Sequence, residues 1–158
     1  MSTVHPLGMT RVRRRIDAPR TRVYRTMLDP STLAQWKVPD GMSLRVHEFE
    51  PREGGRIHIS LVYDSPTETG KSSEGTDSYH GRFVRLVPDR LIVEVDEFET
   101  ADPALRGEMT STIELYDIGD ATDVVATHEN LPPAISLADN EIGWRMALDK
   151  LAALVSRP

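Results

Sequence analysis

The chain changes its hydrophobic period once, near Pro132 and Pro133, and this change restricts its fold more than any other feature. Before these prolines, short segments alternate apolar and polar residues between turn residues, which is typical of antiparallel strands. After them, apolar residues recur at three- and four-residue steps on one helical face, at Leu137, Trp144, Ala147, Leu148, Leu151 and Leu154. A helix over residues 137–155 would be about 30 Å long, enough to cross a domain of this size.

The strand-like part has seven segments, at residues 11–16, 43–50, 56–63, 79–87, 91–99, 108–117 and 123–130. Between the first and second segments, Asp17-Ala18-Pro19 marks a helix start and Asp29-Pro30 separates two short helices. The order β-α-α-β6-α places the chain in the α+β class. An antiparallel sheet of this many strands twists and curves, so it is expected to wrap around the long C-terminal helix.

The same pattern predicts the domain organisation and a cavity. Residues 1–10 are expected to form a loose N-terminal leader, and residues 11–156 a single domain. Residues 64–77 are rich in Ser, Thr, Glu and Gly and predict a mobile, partly disordered loop. Between the curved sheet and the helix we expect an apolar cavity on the order of several hundred Å³.

Composition excludes several kinds of chemistry. The absence of cysteine excludes disulfides, thiolate nucleophiles and cysteine-ligated metals. A net charge of −6 disfavours nucleic acid as a partner. The five histidines are scattered and no phosphate or dinucleotide motif occurs, so neither a metal nor a cofactor is expected. Without a long apolar run or a secretory signal, we expect no membrane association and a cytoplasmic location.

The first strand carries a local excess of positive charge. If Val12 and Ile16 face inward, then Arg11, Arg13 and Arg15 lie on the outer side of the strand. These arginines form either a solvated strand face or a docking patch for an acidic partner.

Several motifs occur in a fixed order along the chain: Arg14-x-Ile16-x-Ala18-Pro19, Val23-Tyr24, Leu28-Asp29-Pro30-x-x-Leu33 with Trp36, Arg52-x-Gly54-Gly55-Arg56, Gly81-x-Phe83, Pro88-x-Arg90-Leu91, His128-x-x-Leu131-Pro132 and Gly143-Trp144-x-x-x-Leu148-x-x-Leu151. On these motifs the chain resembles the START-like, or Bet v 1-like, SRPBCC domains. Within them it is similar to the family of homologues of the activator of the heat-shock-protein-90 ATPase. The resemblance implies the helix-grip fold and a deep, mainly apolar pocket for hydrophobic or aromatic small molecules. It implies no universal reaction.

Strand alternation and the helical stripe predict which side chains line that pocket. The candidates for ligand binding are Trp36, Phe83, Val95, Ser111, Ile113, Ala126, His128, Trp144 and Leu148. Both tryptophans are either core residues or stacking surfaces for an aromatic ligand. Trp36 lies close to a loop, so a role in gating the entrance of the pocket is a further alternative for this residue.

Two residues are candidates for catalysis. His128 is expected to point inward near Trp144, as a general base with a pKa near neutrality or as a histidine satisfied by backbone or water. Glu97 is in phase with Leu91, Val93 and Val95, so it is either a buried carboxylate or, after a bulge, a solvated one.

Three functions therefore remain open from the sequence. The first is binding of a hydrophobic or aromatic small molecule in the cavity. The second is a cyclase- or dehydratase-like enzyme in which His128 or Glu97 moves a proton. The third is a chaperone-partner domain that stimulates an ATPase by surface contact. A chaperone and a second copy of the chain are the protein partners left open.

Overall fold

A computed structural model describes residues 7–64 and 75–156. Its elements, in chain order, are β1 Gly8–Ile16, α1 Arg20–Met27, α2 Leu33–Trp36, β2 Met42–Phe49, β3 Arg56–Tyr63, β4 Thr76–Val87, β5 Leu91–Phe98, β6 Met109–Asp117, β7 Thr122–Leu131 and α3 Leu137–Val155. The β-α-α-β6-α order is therefore confirmed.

The seven strands form one curved antiparallel sheet in the order β1-β7-β6-β5-β4-β3-β2. The first strand pairs with the last, and every other neighbour in the sheet is also a neighbour in sequence. From β2 to β7 each strand pairs with the next one along the chain, whereas α1 and α2 lie in the crossover from β1 to β2. The predicted helix-grip fold, an α+β fold with a curved sheet and a C-terminal helix, is confirmed.

The predicted and observed boundaries of the elements agree best where the local hydrophobic pattern is strong. β3 and α3 have the predicted limits, and Ser136 caps α3 by accepting a hydrogen bond from the backbone N–H of Asp139 at 3.2 Å. β1 begins at Gly8, three residues before the predicted start of the first strand. β4 begins at Thr76, which shortens the expected mobile loop. Residues 65–74 of that loop lie outside the described residues.

Helix α3 packs on the inner face of the sheet. Its buried residues Leu148, Leu151, Ala152 and Val155 join one core cluster with apolar residues from strands β1, β3, β4, β5, β6 and β7 and from α1 and α2. Within the described part of the chain, no helix combines the length and the apolar character needed to cross a bilayer.

The space between sheet and helices is largely filled by aromatic side chains. The rings of Phe49 and Phe83 meet edge to face with centroids 5.4 Å apart, and Trp36 is 2% exposed. The void left beside them measures about 10 Å³, the size of one water molecule. Its lining residues are Met27, Leu28, Trp36, Lys37, Phe49, Phe83, Ile92, Glu94 and Ile113. This void is far smaller than the predicted cavity of several hundred Å³, because the rings around it are closely packed.

Candidate functional site

Strand β5 faces inward in the opposite phase to the one predicted. Ile92 is 2% exposed and Glu94 is 3% exposed, and both pair with the inward-facing residues of β6. Successive side chains alternate between faces, so Asp96 also points inward, while Val95 and Glu97 lie on the outer face. The prediction that Val95 lines the interior is therefore wrong, and of the two alternatives for Glu97 the structure favours a carboxylate outside the interior.

A buried ion pair joins this strand to the end of α2. Lys37 Nζ lies 3.0 Å from Glu94 Oε1. Burial by itself would raise the pKa of Glu94, but the positive charge of Lys37 and hydrogen bonds to the carboxylate outweigh it, and the pKa is lowered. Burial likewise opposes the charge on Lys37, yet the negative charge of Glu94 leaves its pKa raised. Both groups are therefore charged at neutral pH.

The neighbouring carboxyl group of Asp96 behaves differently. Burial, followed by the negative charge of Glu94, raises its pKa well above the ordinary value. Glu94 Oε2 and Asp96 Oδ1 are both buried without a hydrogen-bond donor among the described residues. The raised pKa favours the protonated, neutral form of the Asp96 carboxyl group. The Lys37–Glu94–Asp96 cluster is thus neutral overall.

A row of polar residues continues from this cluster across the sheet. Glu94 on β5 is paired with Ser111 on β6, and Ser111 is paired with His128 on β7. All three side chains stand on the inner face because they share one register.

Helix α3 and strand β1 hold the imidazole at the end of this row. Trp144 Nε1 donates to His128 Nδ1 at 3.2 Å, and Asn140 Nδ2 lies 3.2 Å from the same nitrogen. Asn140 Oδ1 in turn accepts from Thr10 Oγ1 at 2.6 Å. An indole N–H can only donate, so Nδ1 is an acceptor and the ring proton resides on Nε2.

Burial lowers the pKa of His128 to about 4, and the negative charge of Glu94 only partly opposes it. The imidazole is therefore neutral at physiological pH. The predicted general base with a pKa near neutrality is wrong, because a base needs a free ring nitrogen and Nδ1 is already occupied. Nδ1 is satisfied by the side chains of Trp144 and Asn140.

Two further buried polar groups have no partner among the described residues. They are the indole N–H of Trp36 and the hydroxyl of Ser111, which is 4% exposed. Buried polar atoms are paired in the great majority of cases, so such groups are noteworthy beside a void.

Most of the predicted site residues come together in this interior. Trp36, Phe83 and Ile113 line the void, and Ser111, Ala126 and His128 lie next to them on the inner face of β6 and β7. Trp144 and Leu148 approach from α3.

Sequence reasoning did not identify Lys37, Tyr79, Glu94, Asp96 or Asn140. Tyr79 belongs to the cluster because its phenol interacts electrostatically with Lys37 and Asp96, and burial raises its pKa. The one sequence signal for Glu94 and Asp96 was Ile92. It is apolar and stands two and four positions before them, so all three side chains lie on the same face of β5. Charged residues two positions apart on a strand more often form a solvated face.

A wider opening of about 350 Å³ lies on the outer face of the sheet, lined by Glu48, Gly54, Arg56, Ile57, His58, His80, Gly81 and Arg82. Its histidines are engaged by Glu99, whose Oε1 is 2.7 Å from His58 Nε2 and 3.6 Å from His80 Nδ1. Within residues 7–64 and 75–156, no group of three or more acidic, histidine or cysteine side chains has the arrangement needed to hold a metal.

The curved antiparallel sheet that grips a C-terminal helix defines the helix-grip class of SRPBCC, or Bet v 1-like, domains. Residues 17–156 match the family model described as "Activator of Hsp90 ATPase homolog 1-like protein". The chain belongs to this family, as the motifs predicted. Family and fold together make it a domain of the ligand-binding or activator type.

Solved structures support the same conclusion. Protein CV1439 from Chromobacterium violaceum is 33% identical, with 95% of this chain and 98% of that one covered and a TM-score of 0.84. A protein from Rhodobacter sphaeroides is 18% identical, with 92% and 90% covered and a TM-score of 0.75. CalU16 from Micromonospora echinospora is 22% identical, with 94% and 76% covered and a TM-score of 0.63. The last two show a shared fold alone. No curated protein matches the chain.

Proposed function

We propose that the protein binds a small, mainly apolar molecule between the inner face of the sheet and helices α2 and α3. One observation carries this proposal. The interior contains Lys37, Glu94 and Asp96, and next to them Trp36 and Ser111 have no hydrogen-bond partner among the described residues. Burying charged and unpaired polar groups costs stability, and apolar residues of similar volume would pack as well. A site for a ligand accounts for their presence.

The route into the site leads past the segment that follows α2. Trp36 and Lys37 line the void, and the chain continues through Val38 to Asp40. Lys150 of α3 holds this segment, because its Nζ donates to the Val38 carbonyl oxygen at 2.7 Å and lies 2.8 Å from Asp40 Oδ1. Entry of an organic molecule requires Trp36 and its neighbours to move aside, and breaking the Lys150 contacts frees the segment to do so.

An NMR titration of ¹⁵N-labelled protein with small apolar and aromatic probes tests the proposal. We expect saturable shifts at Ser111 and at the Trp36 indole. Ile113→Phe fills the void and should abolish them, whereas Thr112→Phe on the outer face of the same strand should not. Native mass spectrometry of freshly purified protein, with Trp144→Ala for comparison, tests for a retained small molecule. Shifts that persist unchanged in Ile113→Phe, or the absence of any binding, would refute the proposal.

A second candidate is a cyclase- or dehydratase-like enzyme in the same interior. The observation in its favour is the Glu94–Asp96 pair on the inner face of β5, in which the pKa of Glu94 is lowered and that of Asp96 is raised. Glu97 has no part in it, since its side chain is on the outer face. Incubation with small-molecule extracts should reveal a compound consumed by the protein but not by its Asp96→Asn variant, while probe binding is retained. Equal consumption by both would exclude this pair as the catalyst.

A third candidate is a surface interaction of the activator type, which the family's description suggests. Arg11, Arg13 and Arg15 are exposed on the outer side of the edge strand β1. Two of them are engaged, Arg13 with Asp123 and Arg15 with Asp17. A pull-down with the chaperone should weaken when all three arginines are changed to Glu, but not when Arg52, Arg90 and Arg106 are.

A cytoplasmic location and a homodimer stay predictions from the sequence.

A further inference from the structure

We propose that the ligand of the interior site carries a hydroxyl group, as alcohols and phenols do, on an otherwise apolar body. The inference deepens the proposed function and rests on it. It depends on the void beside α2, which is lined by two residues with buried polar atoms of opposite kinds. The Trp36 indole N–H is a donor and Glu94 Oε2 is an acceptor, and neither has a hydrogen-bond partner among the described residues.

The two atoms belong to side chains that are held in place from different parts of the chain. Trp36, at the end of α2, is 2% exposed, and Glu94 on β5 is 3% exposed. Glu94 Oε1 accepts from Lys37 Nζ at 3.0 Å, so the ion pair fixes the carboxylate and leaves Oε2 over. An indole N–H can only donate and an ionised carboxylate can only accept, so neither atom can change its role.

The size of the void and these two roles together define the ligand group. The void measures about 10 Å³, which is the space of one oxygen-sized group. A hydroxyl oxygen there can accept from the indole and donate its proton to Glu94 Oε2, so one atom satisfies both partners. A carbonyl or ether oxygen donates nothing, and an ammonium accepts nothing. A ligand carboxylate would bring a second negative charge beside Glu94 in a buried site.

Two further buried atoms without a partner do not alter this conclusion. They are Ser111 Oγ and Asp96 Oδ1, and neither residue lines the void. The Ser111 hydroxyl can donate or accept, so it favours no class of ligand. A carboxylate oxygen can accept two hydrogen bonds, so Glu94 Oε2 can receive the ligand hydroxyl whether or not Asp96 carries a proton. The preference is therefore independent of the protonation state of Asp96.

The rest of the ligand is expected to be apolar. Apart from Trp36, Lys37 and Glu94, the void is lined only by apolar side chains, namely Met27, Leu28, Phe49, Phe83, Ile92 and Ile113. Its volume admits the hydroxyl group alone. The apolar body is accommodated by the movement of the segment after α2 that the proposed function already requires.

A water molecule has the same size and the same hydrogen-bonding chemistry, so it is the other possible source of the hydroxyl oxygen. A ligand hydroxyl that displaces such a water reproduces both of its hydrogen bonds, whereas an alkyl group loses them. Binding measurements on matched probes distinguish the two sources.

Three probes with one aromatic ring test the inference, namely phenol, anisole and toluene, titrated into ¹⁵N-labelled protein. Phenol can accept and donate, anisole can only accept, and toluene can do neither. We expect phenol to bind about tenfold more tightly than either of the others, because it alone satisfies both partners. The Trp36 indole N–H resonance should move downfield with phenol but not with toluene. In Trp36→Phe the preference for phenol over toluene should shrink to about threefold or less.

The water is followed separately, through the NOE between the Trp36 indole proton and water in the ligand-free protein. Phenol should remove this NOE if its hydroxyl takes the same place. A water contact that persists while phenol is bound would contradict the placement of the hydroxyl group in the void. If the water contact is present and none of the three probes binds, the void holds water only, and the proposed function is refuted together with the inference.

The controls separate this inference from the proposed function. Tyr116→Phe, on the exposed outer face, should leave all three affinities unchanged. If toluene or anisole binds as tightly as phenol, the inference is refuted while the binding site stands. Should Trp36→Phe fail to fold, the indole resonance and the ranking of the three probes in the unmodified protein still decide the question.

Discussion

Trp144 of α3 donates its indole N–H to Nδ1 of His128 on β7 at 3.2 Å, and this contact fixes the tautomer of the neutral imidazole. Protonating Nδ1 would place two hydrogens against each other and break the bond. The contact also links the helix to the polar row that crosses β7, β6 and β5 through Ser111 and Glu94. The interior site is therefore tied to the position of α3.

Removing the indole donor should make His128 easier to protonate. In Trp144→Phe the His128 imidazole keeps most of its burial. It loses, however, a hydrogen bond that only an unprotonated Nδ1 can accept. We expect the pKa of His128 to rise from about 4 to about 5. Imidazole chemical shifts followed by NMR against pH provide the measurement. If the pKa of His128 in this variant equals that in the unmodified protein, burial alone lowers it.

Acid should destabilise the protein through His128. Its pKa is lowered from 6.5 to about 4 on folding, so between these values the unfolded state binds more protons. The contribution of the neutral ring is complete above pH 6.5 and declines by about 3 kcal/mol as the pH falls to 4. Urea unfolding at pH 7 and pH 5 should show a smaller difference for His128→Gln than for the unmodified protein. If the free energy of unfolding changes with pH equally in both proteins, His128 is not the group that causes the loss of stability in acid.

Breaking the buried Lys37–Glu94 pair from one side should be costly. Lys37→Met leaves the Glu94 carboxylate buried and uncompensated, and we expect a loss of about 3–5 kcal/mol in the free energy of unfolding. The double variant Lys37→Met, Glu94→Gln should recover most of it, because no buried charge remains. Arg145→Met removes the exposed pair with Glu141 and should cost about 0.5 kcal/mol or less. Denaturant titration distinguishes these outcomes, and equal losses for Lys37→Met and Arg145→Met would disprove the role of burial.

Asp96 should make the protein more sensitive to alkali than to acid. Its folded pKa is raised, so its favourable contribution is complete below the unfolded pKa and is lost as the pH rises through the folded one. Asp96→Asn cannot ionise and can still donate to Glu94. We expect the Asn variant to have a higher Tm than the unmodified protein at pH 8–9, with the difference vanishing near pH 4. A Tm difference independent of pH would mean that Asp96 is not protonated in the folded protein.

Gly81 is required by the approach of the Asp96 carboxyl group. A Cβ at this position would collide with the carbonyl oxygen of Val95 and with Asp96 Oδ1. Gly81→Ala should therefore separate β4 from β5 and cost about 1–3 kcal/mol. Gly143, inside α3, has nothing near its missing Cβ, and Gly143→Ala should stabilise by about 0.5–1 kcal/mol. Thermal unfolding of the two variants should shift in opposite directions, and a tolerated Gly81→Ala would argue against the close contact.

The order of the elements was predictable because it depends on local periodicity. Residues 56–63 alternate cleanly, and 137–155 carry a helical stripe after two prolines, so each segment identifies itself without reference to the rest of the chain. The antiparallel meander and the inward position of His128 follow from that order. The family motifs reinforce it because they mark turns and helix contacts at set intervals.

The phase of β5 could not be decided in this way. Leu91, Val93 and Val95 make one face apolar, and Ile92 with Phe98 makes the other partly so, which leaves the alternation ambiguous. In the structure, strand β5 turns the face that carries Glu94 and Asp96 toward the interior. It does so because Lys37, 57 positions away in sequence, neutralises Glu94, and because Asp96 keeps its proton beside it.

The sequence by itself determined the succession of helices and strands, and with it the grip of the sheet on α3. Only the tertiary structure decided which polar groups enter the interior and how much space is left there. The physical reason is that backbone periodicity is a property of neighbouring residues. Burial of charge and the filling of a cavity depend instead on partners such as Lys37, Trp36 and Phe83, which reach the site from different parts of the chain.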